Sequence, residues 1–136
     1  MKKFIAFLVV VFIGIQFIPV ERTNPPVPSD IDAPSNVKEI LRKACYDCHS
    51  NETNWAWYTK VAPISLLAVK DVNEGREHLN FSEWGNYTSK TEQIKNEIWE
   101  EVREERMPPW MYRVVHSEAK LSQAEKDALR NWAMDN

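Results

Sequence analysis

Cysteine is scarce in this chain. There are two, Cys45 and Cys48, three residues apart in "KACYDCHS". A closed structural zinc site needs four ligands. Beyond the pair only His49, His78 and His116 are on offer, at no customary zinc spacing. No strand–helix–strand pattern surrounds the pair either. A thioredoxin-like site places its cysteines at a helix N-terminus after a strand, where the helix dipole lowers the thiol pKa, so the surroundings argue against it. Basic excess is also missing. The formal net charge is −3, and no basic patch is interleaved with aromatic residues, so nucleic acid is not an expected partner.

The N-terminus is of a different kind. "MKKFIAFLVVVFIGIQFIPV" sets Lys2 and Lys3 before a nearly unbroken apolar run over residues 4–20. That is the layout of an export signal, but no small-x-small cleavage site follows, and no lipoprotein cysteine. The run would be about 26 Å long as a helix, slightly short of a hydrocarbon core. It is therefore read as an uncleaved signal anchor over residues 1–20. The N-terminus would be cytoplasmic, the chain would contact the membrane through this helix, and the body would face the periplasm from the inner membrane. Residues 21–34 carry Pro25, Pro26, Pro28 and Pro34 and read as a semi-rigid linker.

Residues 35–136 read as an all-α domain. A first helix is expected from Asn36, with Glu39 reaching back to its cap. Val37, Ile40, Leu41, Ala44, Cys45 and Cys48 form one stripe of a 3.6-residue period, which would put both cysteines on its buried face. A second helix opens at "APISLLAVKDV", with Ile64, Leu67, Ala68 and Val72 inward, and Gly75 is expected to weaken or end it. "LNFSEWGNY" has no clear period and reads as a loop. A third helix follows a Ser89/Glu92 capping box and buries Ile94, Ile98, Trp99 and Val102. It stops at "RMPPW", where Met107 is held extended by the proline behind it. A last helix follows a Ser122/Glu125 box and buries Leu129, Trp132 and Ala133.

C-x-x-C-H is the signature of covalent haem attachment, and that chemistry meets every constraint above. Cysteines three apart share a helical face, so both sulfurs can reach the two vinyl groups on one side of a porphyrin. His49 stands next in the chain and is the candidate proximal ligand of the iron. Candidates for the sixth position are Met107, Met111, Met134, His78 and His116. Met107 is best placed, because Pro108 and Pro109 stiffen its loop, with His116 as the alternative. The plainer reading of Met107 is a gap-filler in the core. Six tryptophans suit either a core or the flat face of a haem.

The stretches "CYDCHSNETNWAWY", "APISLLAVKDVNEGREHLNFSEW", "MPPWMYRVVHSEAKLS" and "RNWA" resemble a bacterial family, the haem-binding domain family of exported single-haem proteins. The resemblance runs over about residues 37–132. It implies one covalent haem c on Cys45 and Cys48, with His49 on the iron. It also places Met107 and His116 in a shared "MPP…Y…H" stretch without choosing between them. The expectation is a small cytochrome c-like helical domain around one haem. Its work would be one-electron transfer to or from a redox protein the sequence does not name, as a carrier rather than an enzyme. The alternatives are a haem-based sensor or peroxidase-like enzyme with an open distal side, and a module in which haem mainly completes the core.

Overall fold

A computed structural model describes residues 1–135. Seven α-helices follow one another: α1 (Lys2–Ile15), α2 (Ser35–Ala44), α3 (Tyr46–His49), α4 (Ile64–His78), α5 (Thr91–Arg103), α6 (Trp110–Val115) and α7 (Gln123–Met134). Short 3-10 turns lie at Trp57–Lys60, Trp84–Tyr87 and Ser117–Ala119. No strand forms among the described residues. The one extended pairing there is an isolated parallel bridge between Ser29 and Glu83. The fold is all-α.

Three amphipathic helices build the core. Val37, Ile40 and Leu41 of α2 meet Ile98, Trp99 and Val102 of α5, and Leu129, Trp132 and Ala133 of α7. Fully burying each large apolar side chain contributes about 1.5–3 kcal/mol. The cap of α7 forms as the sequence predicts. Ser122 Oγ accepts from Glu125 N, and the Glu125 carboxylate accepts from Ser122 N at 2.8 Å. That carboxylate also pairs with Lys43 and so joins α7 to α2. The expected Ser89/Glu92 box does not form. Helix α5 starts at Thr91 with Lys90 as an uncapped N-cap, because the Trp84–Tyr87 turn, with Trp84 buried, sets how the chain enters the helix.

The rest of the core comes from segments without helical period. Phe81 and Ile31 are 1% and 0% exposed. Ile31 lies within residues 21–34, read above as a linker. This strap is laid against the domain: Ser29 N donates to Ser82 O at 3.1 Å, and Trp84 N to Ser29 O at 3.0 Å. Asp30 accepts from the Tyr46 hydroxyl at 2.5 Å and from Lys38 Nζ at 3.1 Å.

The expected inner-membrane anchor is corrected. Helix α1 stops at Ile15 after 14 residues. That is about 21 Å of helix, against the ~30 Å of a hydrocarbon core. The remaining apolar residues leave the helix because Gln16 turns to the domain. Its Nε2 donates to Ala62 O at 3.1 Å, and its Oε1 accepts from Ala62 N at 3.0 Å. Pro19 then prevents any resumption. Among the described residues, no helix is long and apolar enough to cross a membrane.

Candidate functional site

The cysteine segment departs from the single stripe its spacing suggests. Helix α2 ends at Ala44, and Cys45 breaks the helix at φ −128°, ψ −33°. One new turn, α3, then runs to His49, with His49 N donating to Cys45 O at 2.9 Å. The break changes which side chains face the core. Tyr46 turns inward, 2% exposed, and stacks on Phe81 at 5.3 Å between centroids. Cys45 and Cys48 are left half-buried, Cys45 packed against the edge of the core cluster.

His49 is fixed at two points. Its carbonyl accepts from Phe81 N at 2.7 Å, and its ring Nδ1 lies 3.0 Å from Leu79 O. A carbonyl only accepts, so Nδ1 carries the proton and the lone pair is on Nε2. Burial holds the imidazole pKa below its ordinary value, against the opposing pull of the Leu79 carbonyl, and the ring is neutral near pH 7. Gly75 permits the close packing behind this turn. A Cβ there would stand 2.5 Å from the Cys48 carbonyl oxygen and 3.0 Å from its carbon. Helix α4 therefore runs on through Gly75 to His78 instead of ending at it.

Two cavities adjoin the segment. One, of about 280 Å³, lies towards α5 and is lined by Leu79, Phe81, Ile94, Ile98 and Val102, with Glu97 and Glu101. The other, of about 420 Å³, lies between α4 and the 107–112 segment and is lined by Cys48, Gly75, Pro108, Pro109 and Trp110, with Asp71. Cys45, His49, His78 and Met107 line both. Burial pushes the thiols of Cys45 and Cys48 up to about 12. The neighbouring Cys48 adds to the effect at Cys45, and Asp47 adds to it at Cys48.

The candidates for the sixth position separate on this geometry. Met107 lines both cavities and is 36% exposed. His116 lines neither, and both of its ring nitrogens are engaged. Nε2 meets the Tyr58 hydroxyl, Nδ1 lies 2.9 Å from Glu118 Oε1, and the ring stacks on Tyr112 at 4.2 Å. Met134 lines neither cavity, and Met111 lines the larger one only. His78 lines both, but it adjoins Leu79, whose carbonyl holds His49.

A largely apolar double cavity with the His49 imidazole and two thiols on its wall fits a haem. The profile of the haem-binding domain family matches residues 10–135. The chain belongs to this family. It binds haem. No curated protein and no solved structure gives a significant match.

In this haem-binding domain several residues about the site carry no sequence mark. Asp47, between the two cysteines, accepts from the Tyr112 hydroxyl at 2.7 Å and from Asn54 N at 2.9 Å. Glu101 takes a two-pronged ion pair from Arg106, and its backbone carbonyl caps Met107 N at 3.1 Å. Both pairings join residues whose sequence separation alone suggests nothing. The tryptophans divide: Trp84, Trp99 and Trp132 are core residues, whereas Trp110 is exposed at the mouth of the larger cavity.

Proposed function

We propose that the protein is a c-type cytochrome that carries one electron on a single covalent haem. Cys45 and Cys48 would each add their S–H across a vinyl group. Sulfur bonds to one carbon and the proton goes to the other, so no oxidant is needed. His49 would present Nε2 to the iron, with its ring orientation set by the Leu79 carbonyl. Met107 would hold the iron with its thioether as the second ligand from this chain. The bound group supplies a one-electron iron couple whose potential a methionine ligand raises. Leu79, Phe81, Ile98 and Val102 would exclude water from one face. Carboxylates at the cavities, Asp71 and Glu97 among them, favour a redox partner with a basic face.

One observation carries this reading: Met107, on the segment after α5, lines the same two cavities as His49 and, like His78, meets both, while His116 lines neither. With His49 and Met107 both holding the iron, no position would be left open for a small ligand, which favours electron transfer. The test has two parts. Protein made with a c-haem maturation system should keep its haem through a denaturing gel, and Cys45→Ser with Cys48→Ser should release it. The reduced wild type should not bind carbon monoxide, whereas Met107→Ala should. Haem lost on the gel refutes covalent attachment. Ready carbon monoxide binding by the wild type replaces electron transfer with the sensor or peroxidase-like reading.

A further inference from the structure

Helix α6 follows Met107 after two prolines, opens at Trp110 and buries none of its own residues. Trp110, Met111, Val114 and Val115 are all largely exposed. Apolar burial therefore contributes little to where this helix sits, and a few polar contacts decide it. The nearest of these to the site is the bond from the Tyr112 hydroxyl to Asp47 Oδ2 at 2.7 Å. Asp47 is itself held. Its Oδ1 accepts from Asn54 N at 2.9 Å, and its backbone carbonyl accepts from Thr53 Oγ1 at 2.8 Å. Behind Tyr112 the His116 ring is stacked at 4.2 Å and bonded to Tyr58.

On the other side of Met107 the chain is equally tied. Arg106 N and Met107 N both donate to Glu101 O, at 3.0 and 3.1 Å. The Met107 segment is thus fixed at its start by α5 and, past the prolines, by the phenol–carboxylate bond of Tyr112, with the His116–Tyr58 pair one turn further on. The Asp47 end of the Tyr112 bond stands between the two cysteines. A charge-assisted bond of this kind is about twice as strong as a neutral one.

We propose that Asp47 and Tyr112 are positioning residues. Their hydrogen bond ties the attachment motif to α6 and so holds Met107 against the haem. The inference rests on the Met107 ligation proposed above and adds what keeps that ligand in place. Losing the bond frees α6 to shift, and the stiff Pro108–Pro109 link passes that shift to Met107, which leaves the thioether only part of the time on the iron.

The experiment uses the full haem-loaded chain with carbon monoxide as the probe. Wild type, Met107→Ala, Tyr112→Phe, Asp47→Ala, the Tyr112→Phe/Asp47→Ala double variant and Asp47→Asn are compared. The readouts are the fraction of reduced protein that binds carbon monoxide and the weak sulfur-to-iron band of the oxidised protein. Met107→Ala should bind fully and lose the band. Tyr112→Phe and Asp47→Ala should each raise the reactive fraction about tenfold, as expected for one lost hydrogen bond to a charged group. The double variant should go no further than either single one, which is the signature of a shared interaction. Asp47→Asn keeps one acceptor oxygen for the two donors, Asn54 N and the Tyr112 hydroxyl, and loses the charge, so it should fall between wild type and Asp47→Ala. If Met107→Ala opens the iron while Tyr112→Phe does not, or if the two changes simply add, the positioning role is refuted and the ligation reading stands. If Met107→Ala changes nothing, the ligation reading falls and takes this inference with it.

Discussion

Replacing Gly75 by alanine tests the packing that holds the cysteine segment in place. In an ordinary helix interior this change stabilises by about 1 kcal/mol, because glycine gives up more backbone freedom on folding. Here the added Cβ would stand 2.5 Å from the Cys48 carbonyl oxygen, 3.0 Å from its carbon and 3.1 Å from its Cβ. Two of these three atoms are backbone, so no side chain can rotate away. Overpacking of this sort costs ~1–3 kcal/mol, and a backbone clash belongs at or beyond the upper end. After the gain in helix propensity the net loss is about 2 kcal/mol, which lowers Tm by roughly 8 °C in a chain of this length. Thermal unfolding followed by circular dichroism measures it. Gly14→Ala is the control, since a Cβ there meets nothing within 4 Å, and it should leave the Tm of the domain in place. If Gly75→Ala melts at or above the wild-type temperature, α4 does not need its close approach to Cys48 and the argument fails.

The two serines expected to cap helices should behave oppositely. Ser122→Ala removes a formed box and should cost ~1 kcal/mol, whereas Ser89→Ala should be neutral in the same urea titration. Phe81→Ala empties a fully buried ring site under Tyr46 and should cost ~3–5 kcal/mol, enough to show as a large fall in the urea midpoint. Asp30 predicts part of the acid limb. Burial would raise its pKa, but the bonds from Tyr46 and Lys38 outweigh that and hold it below the ordinary value. A carboxyl depressed on folding contributes stability above its unfolded pKa and loses it as pH falls through the folded one. Stability should therefore drop below about pH 4, and by less in Asp30→Asn, as read from urea midpoints between pH 7 and pH 2.

What the sequence discloses depends on where the burial signal lies. Helices α2, α5 and α7 each carry a strong apolar stripe, and the buried residues fall where that stripe puts them. The break at Cys45 is hidden because Cys45 and Cys48 continue the same period. It is imposed from outside, by Phe81 N and Leu79 O taking hold of His49. Helix α6 is hidden for the opposite reason: with no buried residue it has no stripe to read. Ile31 and Phe81 enter the core from segments without any period, so only the assembled fold marks them. The N-terminal run misleads by composition. Its apolar count suits a membrane, but Gln16 and Pro19 cut the helix short, and single residues of that kind are invisible to an average over the run.

The same break explains how a cofactor site can be built from a core helix. Had the stripe of α2 continued, the inward position that Tyr46 takes would have fallen to the cysteines. By giving the inward position to Tyr46, the chain keeps its packing: the ring stacks on Phe81, and the hydroxyl reaches Asp30 of the N-terminal strap. The turn that follows is then free to face two cavities. Asp47 and Gly75 fix that turn from two directions, the first by a bond to α6 and the second by letting α4 come within van der Waals reach of Cys48. The cysteine pair, His49 and the Met107 segment are thereby held by three different helices. A change in any one of α4, α5 or α6 should be felt at these cavities before it is felt in the core.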